Sequence, residues 1–195
     1  MDDTRIAVSP AVLEAIVEDT RAIGFAMASE AKTGSLLTVL AASKPAGRIL
    51  ELGTGTGVGT AWLLAGMDAN ARLDSVDNDP AAQAIAQRHL GHDSRVTFHL
   101  ADGAEFLERS SSLAFDLIYA DTWAGKFTNL DAALALVRVG GIYLVDDLLP
   151  QPTWPEGHAS KVTALVTALE RRTDFAAVKL EWASGLLVLV RTHAA

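Results

Sequence analysis

The segment ILELGTGTGVGT, residues 49–60, joins an apolar strand to the start of a helix through a glycine-rich turn. The strand carries one acid, Glu51, and glycines follow at alternate positions, Gly53, Gly55 and Gly57. Because glycine has no Cβ and tolerates positive φ, its backbone can approach a ligand closely. The turn also precedes the positive end of a helix, where anionic or polar groups bind. We therefore predict a ligand site here.

The spacing of these glycines argues against a dinucleotide ligand. The dinucleotide fingerprint needs a third glycine five residues after the first, where this loop offers only Val58, Thr60 or Trp62. An acid two residues before the first glycine repels a pyrophosphate but attracts an ammonium group. Glu51 and its loop therefore suit a ligand with a cationic amino-acid end, as in S-adenosylmethionine. A glycine-rich turn without a ligand is the alternative.

Composition narrows the class of protein further. The chain has 195 residues, half of them hydrophobic, which is enough for one domain with a sizeable core. It has no cysteine, which excludes a disulfide framework, a thiolate zinc site and a cysteine nucleophile. The net charge of −8 opposes nucleic acid as a partner. No apolar stretch reaches membrane-spanning length and the N-terminus is acidic, so we expect no membrane partner and a cytoplasmic protein.

Apolar runs alternate with helical patterns along the chain, which predicts a largely parallel sheet covered by helices on both faces. We predict a single domain over residues 1–195, with a helical N-terminal cover (1–45) and an α/β core (46–195). Two runs near the end, separated by three residues, predict a hairpin with one antiparallel strand. The predicted strands are Arg48–Gly53, Arg72–Asp77, Arg95–Leu100, Phe115–Ala120, Gly141–Asp146, Phe175–Trp182 and Leu186–Arg191. The N-terminal segments Ala11–Thr20 and Arg21–Ala42 are predicted to form two or three helices. The other predicted helices are Thr60–Met67, Pro80–Leu90, Gly103–Arg109, Thr128–Val137 and Ala159–Arg171.

Acids follow the carboxyl ends of all five predicted parallel strands, the edge where open α/β sheets bind ligands. Asp77 lies 20 residues after Gly57, where an acid can accept the hydroxyls of a ribose. Asp102 can accept an adenine amine, and a helix cap is the equally good alternative. Acids at every strand end are hard to explain as caps alone. The full set at these ends is Glu51, Asp77, Asp79, Asp102, Asp121, Asp146 and Asp147.

Four blocks, ILELGTGTGVGT, LDSVDNDP, FDLIYADTW and GGIYLVDDLLP, give the chain a resemblance to a known family. It resembles class I S-adenosylmethionine-dependent methyltransferases, and within them the small O-methyltransferases of the catechol type. The resemblance implies a Rossmann-like three-layer sandwich with strand order 3-2-1-4-5-7-6, strand seven being antiparallel. It also implies methyl transfer from S-adenosylmethionine to a small-molecule acceptor, at a hydroxyl oxygen, and a homodimer.

Positions carried over from this resemblance assign the cofactor site. Glu51 and the loop of Gly53, Thr54, Gly55 and Gly57 would hold the methionine end of the cofactor. Asp77 would bind the ribose hydroxyls, Asn78, Asp102 and Gly103 would border the adenine, and Trp123 would pack against it. Asp121 also belongs to the implied cofactor-binding residues.

The resemblance also implies Mg²⁺ or another divalent cation, held by Asp121, Asp146 and Asp147. Relatives of the catechol type have Asp-Asn where this chain has Asp146-Asp147. They also place a catalytic lysine three residues after the strand-four acid, where this chain has Ala124. Lys126 is therefore the candidate base beside Asp121, and a solvated surface lysine is the alternative.

Two other functions remain open from the sequence. One is methyl transfer to nitrogen on a macromolecule, although no Asp-Pro-Pro-Tyr-type motif follows strand four. The other is a non-catalytic cofactor-binding or partner-binding module, which the missing lysine favours. His158 has the intrinsic pKa of a general base, but a water-facing residue in the first turn of a helix is the favoured interpretation.

Overall fold

The chain alternates strands and helices, and the computed structural model describes residues 8–152 and 154–193. The strands are β1 (Arg48–Leu52), β2 (Arg72–Asp77), β3 (Val96–Leu100), β4 (Phe115–Ala120), β5 (Val137–Val145), β6 (Phe175–Leu180) and β7 (Leu186–Arg191). The helices are α1 (Leu13–Ala22), α2 (Ala31–Ala42), α3 (Val58–Gly66), α4 (Pro80–Leu90), α5 (Gly103–Arg109), α6 (Leu130–Ala135) and α7 (His158–Glu170). In the described ranges, no helix has both the length and the apolar character that crossing a membrane requires.

The strands form one sheet in the order β3-β2-β1-β4-β5-β7-β6, as the resemblance implies. Strands β1 to β5 pair in parallel, whereas β7 runs antiparallel to both β5 and β6. In register, Leu52 of β1 lies beside Ala120 of β4, which lies beside Val145 of β5. The next residues of β4 and β5, Asp121 and Asp146, therefore leave the sheet as neighbours at its carboxyl edge.

Each face of the sheet packs on its own apolar cluster. Leu50 and Leu52 of β1 face the side covered by α5, α6 and α7, while Ile49 faces the side of α2, α3 and α4. Because side chains alternate along a strand, Glu51 shares a face with Ile49. An acid is therefore fully buried at the centre of the sheet.

The predicted strands and helices match the observed ones closely, with two corrections. The predicted helical segment Arg21–Ala42 is interrupted between Ala22 and Ala31, because Gly24 turns the chain with a φ of +68°. Strand β5 begins at Val137, earlier than the predicted Gly141, and shortens the helix before it. The single-domain prediction also covers residues 1–7, 153, 194 and 195, which lie outside the described residues.

The N-terminal helices lie on the helical layer that carries the glycine loop. Helix α2 packs against α3, with Gly34 directly against the ring of Trp62. Helix α1 packs against α4, and its Thr20 hydroxyl donates to the Thr56 hydroxyl at 2.7 Å. The predicted N-terminal cover is therefore attached to the glycine loop through Thr56, which lies between Gly55 and Gly57.

Candidate active site

The glycine loop is shaped by packing as well as by its ligand chemistry. Gly53, Gly55 and Gly57 all have positive φ, at 104°, 51° and 92°. A Cβ on Gly53 would stand 2.8 Å from the backbone oxygen of Asp121, and one on Gly57 2.7 Å from the Cβ of Ala86. Both positions therefore require glycine, and the first places the loop against the strand-four acid.

Glu51 is a buried acid with one unsatisfied oxygen. It is 0% exposed, and its Oε2 accepts hydrogen bonds from the hydroxyls of Thr60 at 2.5 Å and Ser75 at 2.6 Å. Its Oε1 has no partner among the described residues. Burial raises the pKa of Glu51 from 4.5 to about 8, against the hydrogen bonds from the two hydroxyls, which lower it. An unpaired carboxylate oxygen in a dry site suits the ammonium end of an amino-acid ligand.

Asp77 is tied to the glycine loop. One of its oxygens accepts from the backbone N–H of Gly55 at 2.7 Å and the other from that of Asp79 at 2.8 Å. Asn78, which follows it, is exposed. The structure therefore brings the predicted ribose acid next to the predicted methionine loop.

Asp102 is the N-cap of α5, which is the alternative that the sequence left open. Its carboxylate accepts from the backbone N–H groups of Ala104 at 2.8 Å and Glu105 at 3.2 Å. A Cβ on Gly103 would stand 2.7 Å from that of Ala124. The start of α5 therefore abuts the loop after β4, where the adenine border was predicted, while a contact with adenine stays a prediction.

Tyr119 joins the acids that follow β4 and β5. Its hydroxyl lies 3.0 Å from Asp121 Oδ2 and 2.8 Å from Asp146 Oδ2, and the hydroxyl of Ser29 lies 3.0 Å away. One hydroxyl has one proton, so it donates to one carboxylate and accepts from the other when that acid is protonated. Burial, and then the nearby charge of Asp146, raise the pKa of Asp121 to about 7. The cluster can therefore hold and release a proton near neutral pH.

Lys126 is directed into this cluster, so the interpretation as a solvated surface lysine is wrong. It is 5% exposed, and its Nζ donates to the backbone oxygen of Asp146 at 2.7 Å. The turn that returns it contains Gly125, with a φ of +84°, whose carbonyl accepts from the hydroxyl of Tyr143. A lysine displaced by two positions along the chain therefore still reaches the backbone carbonyl of Asp146, at the end of β5.

Protein donors surround the two acids after β5. Asp146 Oδ1 accepts from the hydroxyl of Ser184 at 2.5 Å and from the backbone N–H of Asp147 at 2.7 Å. Asp147 has a φ of +61°, and its carboxylate accepts from the indole N–H of Trp154 at 3.1 Å. The sharp turn thus directs the two neighbouring carboxylates to different partners.

This arrangement does not fit a divalent cation shared by the three acids. A metal site needs several oxygens of different residues directed at one point. In residues 8–152 and 154–193, no three acids or histidines are gathered in that way. The prediction of Asp121, Asp146 and Asp147 as metal ligands therefore receives no support from the geometry.

His158 lies in a group of aromatic rings rather than facing water. The centroid of its ring is 4.6 Å from that of Trp154 and 5.1 Å from that of Phe127. It is 7% exposed, and neither ring nitrogen has a partner among the described residues. Trp123 is 48% exposed and packs edge-on against Phe127 at 5.3 Å. Its predicted packing against adenine stays a prediction.

Sequence reasoning missed Tyr119, Ser29, Ser184 and Trp154. Tyr119 had a usable signal, because it lies two residues before Asp121 and strand periodicity places both on one face. The other three reach the site from distant segments, between 7 and 92 positions away from the acids that they contact.

Comparison with known proteins identifies a family for this fold. Residues 50–148 match a family model described as a methyltransferase domain. The chain is 28% identical over 155 residues to a catechol O-methyltransferase of Mycobacterium tuberculosis, an alignment that covers 76% of this chain and 70% of that enzyme. Three other mycobacterial relatives are 31–34% identical, and the chain spans 52–62% of their length.

Solved structures show the same fold. The O-methyltransferase TomG of Streptomyces achromogenes, involved in tomaymycin synthesis and solved with S-adenosylmethionine, has a TM-score of 0.83 at 21% identity, over 98% of this chain and 94% of that one. An O-methyltransferase of Bacillus cereus, solved with S-adenosylhomocysteine, has a TM-score of 0.83 at 18% identity, over 97% and 94% of the two chains. The chain therefore belongs to the methyltransferase domain family, as a class I S-adenosylmethionine-dependent methyltransferase of the small O-methyltransferase type.

Proposed function

We propose that this protein transfers the methyl group of S-adenosylmethionine to a hydroxyl oxygen of a small-molecule acceptor. One observation carries the proposal: Asp121 lies between the glycine loop and the cluster of Tyr119, Asp146 and Lys126. A proton acceptor thus stands against the predicted cofactor loop. The names of the sequence relatives support oxygen as the acceptor atom.

The chain's own groups fit the cofactor. The free Oε1 of Glu51 would hold its ammonium group, and the loop Gly53–Gly57, with Thr54, would border the methionine end. Asp77 would accept the ribose hydroxyls. The adenine would lie near Asn78, Asp102, Gly103 and Trp123. When bound, S-adenosylmethionine supplies an electrophilic methyl group, whose bond to sulfur breaks as the acceptor oxygen bonds to it.

Asp121 is the proposed proton acceptor. A carboxyl with a pKa of about 7 is ionised in a useful fraction at neutral pH and still basic enough to take a proton. The hydroxyl of the acceptor loses its proton to the Asp121 carboxylate, and the freed electron pair of its oxygen forms the new bond to carbon. The products are a methyl ether, S-adenosylhomocysteine and a protonated carboxyl that returns its proton to water.

Lys126 acts on this acid as a fixed positive charge. Its ammonium group opposes the rise in the pKa of Asp121, and its hydrogen bond to the Asp146 carbonyl holds it in place. Lys126 is therefore a positioning residue for Asp121 in this proposal. Its replacement should move the pH profile of the reaction rather than abolish the reaction.

The proposal carries over the sequence-based predictions about partners and location. The net charge of −8 supports a small molecule rather than a nucleic acid as the acceptor. The absence of a membrane partner, the homodimer and the cytoplasmic location remain predictions.

The test is methyl transfer from labelled S-adenosylmethionine to a panel of catechols, phenols and amines. Asp121→Asn should lower kcat/KM by about 10²- to 10⁴-fold on the accepted hydroxyl compounds, since it removes a general base. Asp131→Asn, on the highly exposed acid that pairs with Arg172, is the matched control and should leave the rate unchanged.

The same panel separates the alternatives. Methylation of amines alone would move the acceptor atom to nitrogen. Binding of S-adenosylhomocysteine without product from any acceptor would favour a non-catalytic module. No binding of either cofactor form at millimolar concentration would refute the proposal.

A further inference from the structure

We propose that Tyr119 and Lys126 take the place of a divalent cation in this site, so that methyl transfer by this chain needs no metal. The inference deepens the proposed function and rests on it for the reaction. It concerns the disagreement between the ligand set that the resemblance implies and the donors that surround those acids here.

Protein donors already face the lone pairs of Asp146 and of Asp121 Oδ2. Asp146 accepts from Ser184 and a backbone N–H on one oxygen and faces the Tyr119 hydroxyl with the other. Asp121 Oδ2 faces that same hydroxyl at 3.0 Å and accepts from the hydroxyl of Ser29 at 3.3 Å. A cation that used these oxygens would have to displace donors that already satisfy them.

The third acid, Asp147, is bound by a tryptophan. The carboxylate of Asp147 accepts from Trp154, with both of its oxygens within 3.3 Å of the indole nitrogen. Trp154 packs in turn on the buried ring of His158 at 4.6 Å. The third member of the implied ligand set is therefore held by a packed aromatic group.

Lys126 balances the negative charge of the acids. Two acids that face one hydroxyl repel each other unless a positive charge or a proton lies close by. Lys126 supplies that charge from a buried position, with its Nζ 2.7 Å from the carbonyl of Asp146. The lysine and the tyrosine hydroxyl therefore do the two things that a cation would do, which are to neutralise the acids and to hold them together.

The test uses the full-length protein dialysed against EDTA, with Mn²⁺ as the probe. Binding of Mn²⁺ is followed by electron paramagnetic resonance, with and without S-adenosylhomocysteine, and methyl transfer is measured with and without EDTA. We expect no Mn²⁺ site with a Kd below about 1 mM, and methyl transfer that EDTA changes less than about twofold.

Variants test whether the two residues exclude the cation. Lys126→Met and the double variant Tyr119→Phe with Lys126→Met should gain a Mn²⁺ site, which Asp146→Asn in the same background removes. Lys44→Met is the matched control, because Lys44 also donates to a backbone carbonyl at 2.7 Å but is only half-buried and lies at the opposite edge of the sheet. It should gain nothing. The single variant answers the question if the double one does not fold.

Two outcomes overturn the inference. One is a Mn²⁺ site in the unaltered protein that Asp146→Asn removes, or activity that EDTA abolishes and Mg²⁺ restores. The other is that the folded Lys126 variants bind no Mn²⁺ either, which would show that the acids fail to make a site for another reason. The Mn²⁺ titration gives a result even if no accepted substrate is found. Failure to bind S-adenosylhomocysteine refutes only the proposed function.

Discussion

Replacing Glu51 with glutamine should make the unliganded protein more stable at neutral pH and weaken its binding of the cofactor. The amide keeps an oxygen that accepts from Thr60 and Ser75, and it is neutral without having to bind a proton on folding. In the unaltered protein, the folded state holds the proton of Glu51 up to a pKa of about 8, compared with an ordinary value of 4.5. The stability that comes with this proton is complete below pH 4.5 and is lost as the pH rises towards 8.

The size of the effect follows from proton linkage. Between the two pKa values, each pH unit costs the folded state about 1.4 kcal/mol. From pH 5.5 to 7.5 the unaltered protein should therefore lose about 3 kcal/mol relative to Glu51→Gln. For a domain of this size that is roughly 6 to 12 °C in Tm. Thermal unfolding of both proteins at the two pH values measures it, with Glu105→Gln, on an exposed acid of α5, as the control.

Binding of S-adenosylhomocysteine should release the same proton. If its ammonium group pairs with Glu51, the acid ionises, and about 0.9 proton is released per ligand at pH 7, since a group with a pKa near 8 is then about 90% protonated. Calorimetry in buffers of different ionisation enthalpy measures this number. Methylthioadenosine, which lacks the ammonium group, should release none. The reasoning fails if both proteins show the same difference in Tm between the two pH values, or if no proton is released.

Three further predictions use the same protein. The kcat/KM of methyl transfer should rise with pH up to a pKa near 7 and then level off, because the Asp121 carboxyl must be ionised to take a proton; a flat profile from pH 5 to 9 would exclude Asp121 as the base. Gly57→Ala should lower the free energy of unfolding by about 2 to 4 kcal/mol and Gly140→Ala by about 1 kcal/mol, because both have positive φ but only the first meets a neighbouring methyl group; urea unfolding measures both, and equal losses would contradict the steric argument. Tyr143→Phe should cost about 1 to 2 kcal/mol and lower kcat, since it leaves the Gly125 carbonyl unpaired in the turn that directs the site lysine; unchanged stability and rate would show that this turn holds without the bond.

The sheet was predictable because its signals are local. Each parallel strand is an apolar run that ends at an acid, and the glycine loop follows the first of them. The helix from Pro80 to Leu90 was also predictable at both ends, since Asp79 caps it and proline fits its first turn.

The acid cluster was only partly predictable, because long-range packing assembles it. The sequence places Asp121 and Asp146 at one edge, but it gives no sign that a serine of the β6–β7 turn would bind one of them. From the sequence, Lys126 could be a candidate base or a solvated surface lysine. Which of these it is depends on how the chain turns at Gly125. Burial of His158 likewise follows from three rings, two from the loop after β4 and one from the segment before α7.

The position of β7 within the sheet has a consequence for how the protein is made. This strand comes last along the chain, yet it lies inside the sheet, between β5 and β6, with Leu187 and Leu189 fully buried. Until the ribosome has released the segment through Arg191, β5 has an open edge on a half-formed core, which is the kind of edge that pairs with other chains. Synthesis of β7 is therefore the step that should separate productive folding from aggregation.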